Sequence, residues 1–300
     1  MMLLAMVSFN MKAQQTTTAY GFAVKGQKLM EPQSYVFKPT GSASDLTLSV
    51  KNIRTTLIIK GTNRNDVKVE AKDLLAPSEK AKGLRSVSAI GEDNTGLNLR
   101  IEQEGNRVDL SGTSLKRTSQ ATFTIEVPRA INLTINYDMW GAKGLRVMEV
   151  DGDIEVKSST ADVLLADVSG PLSVSSTGGS IEVMFKSLDG SAPTILSSSS
   201  GDIDVALSAD SKVSFQLRGT QGEIFTDLPT TFKNIEKGPY LQLNEGKEDA
   251  VTIQGQGVYG SSKRLVFSGL PTKMMVGDLN SGGSKLEIHT ISGDVYLRKR

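Results

Sequence analysis

Apolar and polar residues alternate along most of this chain. In the first half, eight stretches carry a period of two: SYVFKP, DLTLSV, TTLIIKG, DVKVEAK, LNLRIEQ, NRVDLSG, ATFTIEVP and INLTINY. Such alternation, rich in β-branched residues, predicts strands with one buried face. The links carry Gly, Asn and Asp. GTNRND after Lys60 and EGN before Arg107 predict hairpin turns. Helical patterning is scarce. Residues 72–84 leave room for one short turn, because Pro77 interrupts the run and Gly83 ends it.

From Gly152 one unit recurs. GDIEV at Gly152, ADVLL at Ala161, GPLSV at Gly170 and GSIEV at Gly179 follow at nine-residue steps. GSAPT at Gly190, GDIDV at Gly201 and GEIFT at Gly222 continue on a step near eleven, with SKVSF at Ser211 between the last two. Two units make about twenty residues, a period that marks stacked repeats. The glycines are expected in tight turns, where φ is free to be positive. Ile154/Val156, Val163/Leu165, Leu172/Val174, Ile181/Val183, Ile203/Val205 and Val213/Phe215/Leu217 are expected inward. The opposite parity holds Asp153, Glu155, Asp162, Ser173, Ser180, Glu182, Asp202, Asp204, Ser214 and Glu223, a polar outer face. One unit is too short to bury its own apolar side, so stacking makes the core. Pro193 slips the register, which predicts a bulge or loop. Residues 279–300 repeat the unit twice, and the charged YLRKR tail suits a terminal rung that must not recruit another edge. Longer loops are expected over 233–271.

The pattern predicts an all-β fold: a single-stranded β-helix or β-solenoid-like stack of 9–11-residue strand–turn units after a strand-rich N-terminal portion. Residues 1–14 read as the end of a signal peptide, with a short apolar run and Ala13 before a plausible cut; the basic n-region is missing, so the start is read as truncated. Residues 15–45 form an extension with one or two strands. Residues 46–300 form the repeat domain, clearest at 151–228 and 279–300. Export to the periplasm, the outer surface or the medium is expected. No apolar run reaches the roughly 20 residues of a membrane helix.

Composition narrows the chemistry. Lys and Arg number 34 against 33 Asp and Glu, so no strong field draws nucleic acid. The chain has no Cys, which excludes disulfides, thiolate nucleophiles and a lipid-anchoring Cys. It has one His, His289, too few for a His-rich zinc site.

The ordered units resemble the bacterial putative-adhesin, β-strand-repeat family, a domain of unknown function. TIEVPRAINLTINY at 124–137, GGSKLEIHTISGDVYLRK near the C-terminus and TTLIIKGTNRNDVKVEAK, which is similar to the family's opening hairpin, carry the resemblance over 46–300. It implies an exported β-solenoid of the kind secreted by Bacteroidetes-type bacteria, with no catalytic residues to transfer.

Candidate chemistry is weighed against plain surface. GQGVYG at 255–260 matches the dinucleotide fingerprint, but SSKRLVF after it does not open a helix. Calcium would need six to eight oxygens around one point, whereas these acids sit on strand positions. Asp151, Asp153, Asp202 and Asp204 are the acids a carbohydrate-active β-helix enzyme would use, but bases are scarce on the clean rungs and aromatics there reduce to Phe185 and Phe215. His289 reads as a surface or edge residue. Trp140 reads as a plug at the end of the stack, or else as a ligand contact. No catalytic, cofactor or metal residue is assigned. The candidate ligand-facing surface is Asp153, Glu155, Glu182, Asp202, Asp204 and Trp140. The expected role is a non-catalytic envelope module, an adhesin or structural surface, with a surface polysaccharide or a protein as partner; the alternative is a polysaccharide lyase or hydrolase.

Overall fold

The computed structural model describes residues 28–81, 83–84, 88–188, 190, 192–235 and 273–300. GQGVYG, the leader and most of 233–271 lie outside these residues. The strands in chain order are β1 (Gln33–Phe37), β2 (Thr47–Lys51), β3 (Thr56–Thr62), β4 (Val67–Lys72), β5 (Leu99–Glu104), β6 (Arg107–Gly112), β7 (Thr122–Pro128), β8 (Asn132–Tyr137), β9 (Leu145–Met148), β10 (Ile154–Ser158) and β11 (Val163–Val168). Then come β12 (Leu172–Ser176), β13 (Ile181–Phe185), β14 (Thr194–Ser198), β15 (Ile203–Leu207), β16 (Val213–Gly219), β17 (Ile224–Thr226), β18 (Lys233–Ile235), β19 (Lys273–Leu279), β20 (Ser284–Thr290) and β21 (Val295–Lys299). All eight strands expected in the first half form. Among its described residues the 72–84 stretch holds a short 3₁₀ turn, Glu79–Ala81, and Leu75 bridges Leu29.

The strands make two large, mostly parallel sheets. One has 10 strands in the order β1-β4-β7-β3-β9-β11-β13-β15-β21-β17. The other has 11, ordered β18-β19-β16-β20-β14-β12-β10-β8-β2-β6-β5. From β7 to β17 successive strands alternate between the sheets, and within β8 to β15 each strand pairs in parallel with the one two places along the chain. Leu145 pairs with Val163, and Val163 with Ile181, at 18-residue steps. The next step, Ile181 to Ile203, is 22 residues, because the turn around Pro193 is longer. Every residue expected inward from Ile154 to Leu217 is buried, and the apolar sides of both sheets form one core. The arrangement is consistent with a solenoid-like stack.

At both ends, chain order and spatial order part. The pair β2/β3 sits between β6/β7 and β8/β9. The pair β20/β21 sits between β14/β15 and β16/β17. The charged tail is therefore no terminal rung. Its strand is covered on both edges; Arg298 finds Asp204 on the adjacent β15, and Arg300 reaches past β15 and β13 to Asp167 on β11, instead of guarding an edge. The GTNRND link is not a hairpin either. β7 lies between β3 and β4, pairing parallel to one and antiparallel to the other. EGN does close a hairpin, β5 to β6, with Gly105 at φ +56.

The repeat glycines are explained by approach, not by φ. Gly152, Gly170, Gly179, Gly201 and Gly222 have no positive φ. They form columns where turns stack backbone on backbone. A methyl on Gly201 would overlap the carbonyl oxygen of Gly179; one on Gly293 would overlap that of Gly201, and one on Gly222 that of Gly293. The column thus records the spatial order of the coils, with the C-terminal coil in the middle.

Candidate ligand-facing surface

The acids that suggested chemistry are engaged in holding coils together. Asp202 lies in the turn before β15, and its Oδ1 accepts the Asp294 N–H at 2.9 Å. Asp294 Oδ1 in turn accepts the Glu223 N–H at 2.8 Å. Asp162 does the same for Ser180, and Asn132 for Asp153, each at 2.9 Å. A turn carboxylate fits this work because each stacked turn leaves a backbone donor that its own coil does not satisfy.

Asp204 points outward from β15. Arg298 Nε on β21 meets both its oxygens at 3.0 and 2.8 Å. The same guanidinium lies 5.1 Å from the centre of the Tyr296 ring. Tyr296 stacks on Phe225 of β17 with centroids 5.3 Å apart and planes 13° from parallel. The C-terminal coil is thereby stapled to a neighbour on each side. Arg300 adds bonds to Asp167 and to the Phe185 carbonyl. Phe185 and Phe215, the aromatics expected on the rungs, are core residues at 2 % exposure. Asp151 is partly covered, which alone would raise its pKa, but hydrogen bonds from Ser169 and Lys186 lower it below the usual carboxylate range.

The candidate residues do not converge. Glu182 and Asp204 are neighbours across β13 and β15 on the 10-stranded sheet. Glu155 is on β10 in the other sheet, and Asp153 is in the turn before it. Trp140 sits in the turn between β8 and β9 at 83 % exposure, so it plugs nothing. No three His, Asp or Glu side chains gather around one point among the described residues. Nor is any helix there long and apolar enough to cross a membrane.

The outer face of the 11-stranded sheet carries rows set by register. One row runs Thr134, Glu155, Ser173, Ile195, Glu287 and Gln216. The next runs Asn136, Lys157, Ser175, Ser197, His289 and Arg218. Row members stand about 4.8 Å apart, the strand spacing. Charges pair along their own strands: Lys157 with Glu155 at 3.0 Å, and Lys285 with Glu287 at 2.6 Å. His289 faces out in mid-sheet, 3.5 Å from Glu287. Burial first, then the Arg218 guanidinium, hold its pKa below the ordinary histidine range, against the upward pull of Glu287. Near this face a cavity of about 650 Å³ is lined by residues that include Ser214, Gln216, Thr230 and Asp278.

Sequence reasoning missed Phe225, Tyr296 and Arg298. A signal existed: SGDV at 292–295 repeats SGDI at 200–203, and that alignment puts Tyr296 in register with Asp204 and Arg298 with Ala206.

No curated protein matches the chain. A putative cell adhesion protein from Clostridium sporogenes is similar over 90% of this chain and 100% of its own, at 11% identity and a TM-score of 0.40. A putative adhesin from Bacteroides fragilis is similar over 90% of this chain and 97% of its own, at 9% identity and a TM-score of 0.28. Within the chain, residues 142–257 match the family model described as Toastrack DUF4097.

Proposed function

We propose that this chain is an exported, non-catalytic module of a bacterial cell envelope, a β-solenoid that offers the outer face of its 11-stranded sheet to a surface polysaccharide or a protein. The observation that carries this reading is the use already made of the acids. Asp202 caps a neighbouring turn, Asp204 is held by Arg298, and Glu155 pairs with Lys157. The outer face of the 11-stranded sheet displays hydroxyls and amides in periodic rows, Thr134, Ser173, Ser175, Ser197 and Asn136 among them, beside the paired charges Glu155–Lys157 and Glu287–Lys285. Regular rows suit a repetitive ligand better than a compact one. The Toastrack match, to a domain of unknown function, fits a scaffold with no assigned chemistry.

A glycan array and a cell-surface pull-down test the reading with the chain as exported. Binding that is lost when Ser173 and Ser175 are both changed to Lys, with the unfolding midpoint unchanged, supports this face. Binding that survives the change places the contact elsewhere. Shortened products from any arrayed polysaccharide would favour the carbohydrate-active enzyme instead. Export is tested by cell fractionation, and retention of the chain in the cytosol would overturn it.

A further inference from the structure

The outer face of the 10-stranded sheet differs from the hydroxyl-bearing one. Its middle is apolar. Met148, Ala166, Met184 and Ala206 form one row across β9, β11, β13 and β15, and Leu164 stands in the adjacent row. All five are half-buried. Methionine is the apolar residue that adapts best to a facing surface.

Two charges flank Leu164 on the strands to either side: Arg146 on β9 and Glu182 on β13. Both are exposed, and neither makes an ion pair among the described residues. Other outward charges on this sheet do have partners. Lys60 pairs with Glu149 at 3.6 Å, Glu126 with Lys68 and Arg64, and Asp204 with Arg298. Arg146 and Glu182 are two strand spacings apart, about 9.6 Å, too far to pair with each other.

We propose that this face is a two-fold interface with a second copy of the chain, its axis running along β11. The operation follows from the register. A half-turn about β11 keeps each row at its own height and exchanges the strands on either side. Leu164 and Ala166 then meet their own counterparts. Met148 meets Met184 of the second copy. Arg146 meets Glu182 of the second copy, and Glu182 meets Arg146, so one rotation pairs both unpaired charges. Self-complementarity of this kind is what a two-fold contact requires. Aligned sheets packed about 10 Å apart leave room for Met and Leu to interdigitate. The interface lies opposite the face assigned to ligand, so a dimer would present two ligand faces outward.

Sedimentation equilibrium of the full chain tests this, over a range of concentration and salt. A monomer–dimer equilibrium is expected. Arg146→Glu or Glu182→Arg alone should raise the dimer Kd about tenfold or more, because each places like charges opposite one another twice. The double exchange, Arg146→Glu with Glu182→Arg, should restore it. Leu164→Lys should abolish the dimer with the thermal midpoint unchanged; if that variant does not fold, Ala166→Glu takes its place. A chain that stays monomeric at its highest soluble concentration overturns the proposal. So does a dimer indifferent to the single exchanges, or one that the double exchange fails to restore.

Discussion

The coils from β8 to β15 and the coil formed by β20 and β21 are built from the same unit, yet they enter the stack differently. In the first region β10 to β15 each pair with a strand laid down about 18 to 22 residues earlier. The second fills a slot between coils that precede it in the chain, and Asp294 finds its partner Asp202 92 residues away. The β2/β3 coil is threaded in the same manner at the other end, where Thr55 donates to the Ala121 carbonyl and accepts from the Tyr137 phenol. Local repetition suffices to grow the middle. The ends close only when distant segments arrive, and closing a 92-residue separation instead of a 22-residue one costs about 1.2 kcal/mol more in chain entropy. Both threaded coils carry side-chain links to the coils on either side, which help offset that cost.

Removing residues 281–300 should have the largest effect. It takes one strand out of the interior of each sheet and leaves four others without a neighbour on one side. Cooperative thermal unfolding followed by circular dichroism should disappear. Removing residues 28–37, which strips the edge strand β1 and the Leu29–Leu75 bridge before it, should leave a cooperative transition at a somewhat lower midpoint. Equal losses would mean that the threaded coil matters no more to the stack than an edge strand does.

Gly201→Val comes next. The added carbons overlap the backbone of Gly179 in a column that cannot spread without parting the sheets, so a loss of about 3 kcal/mol or more in denaturant-derived stability is expected. Gly96→Ala, at φ +78 with open space around it, should cost only about 1–2 kcal/mol.

A smaller effect belongs to the staple. A double-mutant cycle on Asp204→Ala and Arg298→Ala should give a coupling of about 0.5–1 kcal/mol, since one guanidinium nitrogen meets both carboxylate oxygens but the pair is partly solvated. Hydrogen exchange should show the loss concentrated in β21 and not in β11. Protection falling evenly would deny that the pair serves the threaded coil.

The smallest effect is a pH dependence. His289 on the threaded β20 has a folded pKa below its unfolded value, so the unfolded chain takes up the proton first. Stability from this residue is intact above the ordinary histidine range near 6.5 and falls as pH drops through and below it. His289→Gln should flatten the pH 5 to 7 part of the stability curve. An unchanged slope would remove His289 as its source.

Much of this was legible in the alternation. Val163, Leu165, Ile203 and Val205 are buried as the parity requires, because an extended chain cannot turn one side chain inward without turning the next outward. The glycines were found by spacing, but their reason was not: only stacked turns reveal that Gly201 faces a carbonyl oxygen. Asp202 and Asp204 looked alike as acids. One is a turn acceptor and the other an ion-pair partner, and both partners lie over ninety residues away. The Met148–Met184 row was hidden because its members occupy single positions in four separate units.

The sequence by itself determined strand, parity and period, since alternation is set by adjacent residues and the unit recurs within about twenty residues of chain. Only the tertiary structure decided which coil lies beside which. Units of nearly equal composition fit many slots, and the choice rests on glycine columns, turn carboxylates and the Asp204–Arg298 pair, contacts that come into being when distant coils meet.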